Sequence, residues 1–147
     1  MADFLEIDLK GFVGNENFLK QIKEALLPDE VADEAGAILL NRIRTRFLDE
    51  ETPDGERWIE SRAAKSRRSS GRGGGTLFDS GTLFHSIQLF KRGTGVRAIA
   101  TDVPYAKDHQ LGQNGNLRRE FLGFGAEDTN VVKRLVIARL DKVKRNE

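Results

Sequence analysis

The chain has 147 residues, 38% of them apolar and 32% charged, with a formal net charge of +1, which gives room for one folded domain and little for two. It has no cysteine and two histidines, His85 and His109, which excludes disulfide scaffolds, cysteine-ligated metal centres and any paired-histidine motif on one helix. No apolar run reaches the ~18–20 residues of a membrane span, and residues 1–10 are too acidic for a signal peptide, so a soluble protein is expected.

The small net charge hides a division. Residues 1–60 hold 15 acids and 7 bases (−8), and residues 61–147 hold 8 acids and 17 bases (+9). Opposite halves attract further copies head to tail, and such heterologous contacts close into a ring or run on as a filament. Ordinary solvated helix faces would carry the same charges. The acidic half also offsets the long-range field that a basic nucleic-acid site would use.

In residues 4–9, Leu5, Ile7 and Leu9 alternate with Glu6 and Asp8, which predicts a half-buried strand. Gly11 and Gly14 interrupt it, and Leu19, Ile22 and Leu26 then recur at helical spacing in residues 18–27. Pro28 suits the first turn of a further helix, with Asp29 and Glu30 at its positive end. Val31, Ala35, Ile38, Leu39, Ile43 and Phe47 stripe that helix down to about Leu48. Pro53-Asp54-Gly55 predicts a turn, with Trp58 pinning it to the core.

Residues 61–75 differ in kind. They hold five bases (Arg62, Lys65, Arg67, Arg68, Arg72), four serines, four glycines and no acid. With nothing beyond alanine to anchor a core, they are expected to form a flexible basic arm. Asp79-Ser80-Gly81 is another turn. Residues 86–92 and 96–101 read as a hairpin closed at Gly93-Thr94-Gly95. Residues 104–111 predict a short helix ended by Gly112, residues 119–124 a strand, and residues 128–144 a helix with Val131, Val132, Leu135, Val136, Leu140 and Val143 on one face. The expected class is α+β: a small, mainly antiparallel sheet packed against a long helix of the N-terminal half and a C-terminal helix, in a single domain over 1–147.

Reactive constellations fail one by one. Asp79-Ser80-Gly81 lacks the glycine spacing of a nucleophile elbow, and His85 has no partner for a triad. Gly71 to Gly75 resembles a phosphate loop only superficially, since no lysine-serine/threonine pair follows. Asp108 and His109 are adjacent, so on a helix they point about 100° apart and share a metal poorly. Neither an enzyme nor a cofactor is expected.

Four blocks taken in order say more: "GAILLNRIRTRFLDEETPD" from Gly36 with Gly55 and Trp58 after it, "LFDSGTLFHSI" from Leu77, "YAKDHQLG" from Tyr105 and "REFLG" from Arg119. Together these resemble the phage virion morphogenesis (tail completion) family. The matching positions are Arg46, Phe47, Pro53, Asp54, Gly55, Trp58, Leu77, Gly81, Leu83, Ser86, Ile87, Tyr105, Ala106, His109, Gln110, Gly112, Arg119, Phe121, Leu122 and Gly123. Glu120 stands where the family often has proline, and the Ser/Arg/Gly segment 61–75 stands where the family has a leucine-rich segment after the tryptophan.

The resemblance implies a structural virion protein of the head–tail junction or tail end, forming a homo-oligomeric ring around the DNA channel and needed for head–tail joining or tail completion. Its implied partners are itself and neighbouring neck, portal-side or tail-tube proteins, with DNA as passing cargo and no membrane. Its place would be the virion neck or tail, and the host cytoplasm during assembly. The alternative is a nucleic-acid-binding module using the basic arm and the C-terminal helix. For the ring, acids at 29–34 or 49–56 are expected to face Lys133, Arg134, Arg139 or Lys142 of the next copy.

Overall fold

The structure, a computed structural model, describes residues 7–8 and 28–145. The helix expected over residues 18–27 and most of the strand expected over 4–9 lie outside the described residues. The elements are β1 (Ile7–Asp8), α1 (Pro28–Asp49), α2 (Arg62–Ser69), α3 (Thr82–Ser86), β2 (Gln88–Gly93), β3 (Val96–Ala100), α4 (Ala106–Leu111) and α5 (Ala126–Arg145). This is the expected α+β class.

The sheet is antiparallel in the order β1-β3-β2. Ile99 of β3 pairs with Ile7 on one side and Leu89 on the other. Thr94 and Gly95 close the hairpin, and Gly95 takes the positive φ of 68° that a tight turn asks of glycine. The helix α1 lies on this sheet. A side chain at Gly36 would meet Leu89 Cδ1 at 2.7 Å, so its absence lets β2 approach closely.

Val31, Ala35, Leu39, Ile43 and Phe47 bury the stripe of α1 against Ile87, Ile99, Val103, Phe121, Leu122, Val132 and Val136. Each large member stabilises by about 1.5–3 kcal/mol when fully buried. The Phe47 ring is central: Trp58 meets it edge-on at 5.3 Å, Phe121 at 5.7 Å, and Phe84 lies at 5.6 Å.

Ion pairs fasten α1 at its start. Buried Arg97 of β3 places Nε 2.5 Å from Asp33 and Nη1 3.4 Å from Asp29, while the Gly95 N–H donates to Asp29 at 2.8 Å. The Gly95 N–H, aided by Lys91 and Arg97, holds the Asp29 carboxyl below its ordinary range, and the Arg97 hydrogen bond does the same for Asp33. From α5, Arg139 pairs with Glu34 and lies 3.9 Å from Glu30.

Three expectations are corrected. Residues 61–75 do not run as a loop: residues 62–69 form α2, capped by Ser61 Oγ accepting the Ala64 N–H at 3.0 Å, with Ala64 3% exposed. Arginine, alanine and lysine are good helix formers, so one cap and one small docked residue suffice. The hairpin's first strand, expected from residue 86, begins at Gln88, because residues 82–86 first turn once as α3 behind Gly81. Residues 119–124 are not a strand. The Gln110 and Trp58 side chains and the His109 carbonyl, rather than a neighbouring strand, meet their backbone groups.

Candidate functional site

The first and third sequence blocks converge on the extended segment 119–125, which opens with the fourth. At the end of α1, Arg46 Nη1 donates to both carboxylate oxygens of Asp128, at 2.7 and 2.9 Å, and Nη2 donates to Gly123 O at 2.9 Å. Arg42 Nε adds a bond of 2.6 Å to Asp128 Oδ1. Asp128 itself is 1% exposed and also accepts the Gly125 N–H at 2.8 Å, satisfying an orphan donor at the start of α5. One carboxylate thus joins the last turn of α1 to the first turn of α5.

Pro53 of the turn presses on the same segment. A side chain at Gly123 would sit 2.7 Å from Pro53 Cγ, on a backbone whose φ of 150° already disfavours one. Next along, Trp58 Nε1 donates to Glu120 O at 3.1 Å, and buried Arg119 donates through Nε to Ile59 O at 2.7 Å. Gln110 completes the clamp. Its Oε1 accepts from the Phe121 and Leu122 N–H groups, each at 3.0 Å, and its Nε2 donates to Leu122 O at 2.7 Å. The Gly112 backbone is left-handed, φ 69°, and ends α4.

Tyr105, the residue just before α4, and His109, four residues on, lie on one side of the helix with rings edge-on at 6.1 Å. The Arg119 N–H donates to His109 O at 2.7 Å. The His109 Nδ1 is buried without a partner among the described residues. Burial, and then the Arg119 guanidinium, pushes the His109 pKa below the ordinary 6.5. Both rings line a cleft of about 900 Å³ together with Ile59, Arg62, Leu117 and Arg119.

The five bases of residues 61–75 separate. Arg67 turns inward, donating to Gly75 O at 2.8 Å and Phe78 O at 3.4 Å, and Arg68 pairs with Glu60 at 2.7 Å. Arg62, Lys65 and Arg72 are exposed, and their side chains meet no hydrogen-bond or ion-pair partner among the described residues.

Sequence reasoning missed Asp128, Glu50 and Thr76. Glu50 has a positive φ of 59° just past α1, where its N–H bonds Phe47 O while the Glu51 N–H bonds Arg46 O. This is the closure usually given to glycine. Its carboxylate accepts the Thr76 N–H, and Thr76 Oγ1 accepts the Ser61 N–H at 3.2 Å. Among the described residues no group of three or more His, Asp or Glu is placed to hold a metal ion. Ser80 bonds Thr82 rather than His85.

Taken together, the fold and these contacts define an α+β unit whose recurring residues tie its elements to one another. Residues 16–141 match the phage virion morphogenesis family, so the chain belongs to that family, and its role lies in assembling a phage virion. No curated protein and no solved structure matches the chain. No helix among the described residues is long and apolar enough to cross a membrane.

Proposed function

We propose that this protein is a non-enzymatic structural subunit of the head–tail junction or tail end, assembling as a homo-oligomeric ring around the DNA channel. The ring would be needed for head–tail joining or tail completion. Its neighbours would be neck, portal-side or tail-tube proteins, and it would assemble in the host cytoplasm. Membership of the virion morphogenesis family over residues 16–141 carries the reading.

The use of the pattern residues supports it. Arg46, Trp58, Gln110 and Arg119 spend their polar groups on the protein's own backbone and on Asp128. They therefore shape a rigid building block instead of presenting reactive atoms to a substrate. DNA inside such a ring must leave during infection, so multiple tight phosphate contacts would work against it.

The test is a phage with this gene disrupted and then complemented. Electron micrographs of the mutant lysate should show filled heads and separate or unfinished tails, and complementation should restore joined virions. Normal virions from the disrupted gene would refute the assignment.

A further inference from the structure

Not all of the surface charge is available for assembly. The acids at 29–34 that were expected to face a neighbour are engaged in their own chain: Asp29 and Asp33 with Arg97, Glu30 and Glu34 with Arg139. Arg134 is held by Glu127 at 2.7 Å. The side chains of Asp49, Glu51 and Glu56 have no hydrogen-bond or ion-pair partner among the described residues. Next to Asp49, Leu48 at the end of α1 is 58% exposed, and Arg57, opposite Glu51, is the one base between residues 48 and 60. An exposed apolar side chain on a mainly acidic stretch is a surface lacking its complement.

The complement exists elsewhere on the molecule. The cleft beside α2 exposes Ile59, Tyr105 and Leu117, with 69%, 45% and 52% of their surfaces open to solvent. Arg62 lies on its wall, and Lys65 and Arg72 continue from it as unpaired cations. The two carboxylates on the cleft, Glu60 and Asp79, are engaged by Arg68 and Arg67, so its apolar side chains and free bases fit an apolar residue flanked by acids.

We propose that Leu48, Asp49, Glu51 and Glu56 of one copy dock on this cleft and the basic face of α2 of a second copy. The proposal rests on the ring assembly above and assigns its contact surface. The two patches differ, so the contact is heterologous, the kind that repeats around a ring.

Charge swapping in the full-length chain tests it. One variant carries Asp49→Lys, Glu51→Lys and Glu56→Lys, and the other carries Arg62→Glu, Lys65→Glu and Arg72→Glu. Asp49→Lys at the end of α1 and Arg62→Glu at the start of α2 suit the helix dipoles. The other four positions carry side chains without hydrogen-bond or ion-pair partners among the described residues, so folding is spared, as circular dichroism would verify. Each variant alone should raise the dissociation constant for self-association roughly a hundredfold in sedimentation. Mixed in equal amounts they should recover assembly, because every contact between unlike copies is again acid to base. Ile59→Ser should also weaken assembly.

If the wild type and both variants assemble alike, or the mixture stays dissociated, this interface is overturned while the ring stands. A wild type that never self-associates, alone or on purified tails, overturns both. Loss of duplex DNA binding in the Arg62/Lys65/Arg72 variant, with its assembly unchanged, would make the basic face a nucleic-acid contact and overturn the proposal.

Discussion

Asp128 illustrates how much one side chain can hold. Its carboxylate is shared by Arg42, Arg46 and the Gly125 N–H. Removing it leaves a largely buried guanidinium and a backbone donor without their partner, so Asp128→Ala should lower the unfolding free energy by about 3 kcal/mol in urea titration. A loss below about 1 kcal/mol would show that water replaces the carboxylate. Gln110→Ala should cost about as much, since three backbone groups of Phe121 and Leu122 lose their partner at once. His109 predicts a pH signature. Burial and Arg119 disfavour its charged form in the fold, so the unfolded chain takes the proton first as pH falls. Stability should be level above about pH 7.5, fall as pH drops through the unfolded value of 6.5, and level again once folded His109 is protonated. His109→Gln should remove that step from the urea midpoint against pH, and a step that survives would assign it elsewhere. The sequence pattern made Arg46 and Gln110 legible as positions and left their partners hidden, because Asp128 is 82 residues from Arg46. A closer look at Gly125, with an acid three residues on, would have suggested a helix start.

At the scale of elements, α1, α5, the hairpin and α4 were legible because their apolar residues recur at the period of the structure they form, and because glycine or proline marks their ends. The α2 helix was not, since its only buried residue is Ala64 and an eight-residue helix with one small contact leaves no apolar period to read. Ser61 followed by Arg-Ala-Ala-Lys was the available signal, a cap ahead of strong helix formers. The segment 119–124 was misread for the opposite reason: Phe121 and Leu122 look strand-like, yet Gln110 and Trp58 take the backbone bonds a strand would give to a neighbour. If α2 depends on its cap, Ser61→Ala should cost about 1 kcal/mol locally. Trypsin should then cut at Arg62, Lys65 and Arg68 several-fold faster than in the wild type, with the global urea midpoint little changed. Equal cleavage would mean that Arg67 and the docked Ala64 hold the helix without the cap.

Across the whole molecule, the −8 and +9 halves are partly spent inside each copy, where acids of α1 meet Arg97 and Arg139 from the second half. What remains for neighbours is exposed, and exposed charges respond to salt differently from the Arg46–Asp128 pair, whose side chains are 12% and 1% open. Screening shortens the reach of surface charge from ~14 Å at 0.05 M salt to ~4 Å at 0.5 M, while a pair shielded by protein feels it far less. Raising sodium chloride over that range should therefore weaken self-association by roughly tenfold or more, yet change the unfolding free energy by less than about 0.5 kcal/mol. Sedimentation and urea titration on the same samples separate the two. If folding stability falls in step with association, the free acids and bases are holding the subunit together and not its neighbours. If association strengthens with salt, the exposed apolar groups around Leu48 and Ile59 dominate the contact, and the bases of α2 contribute little to it.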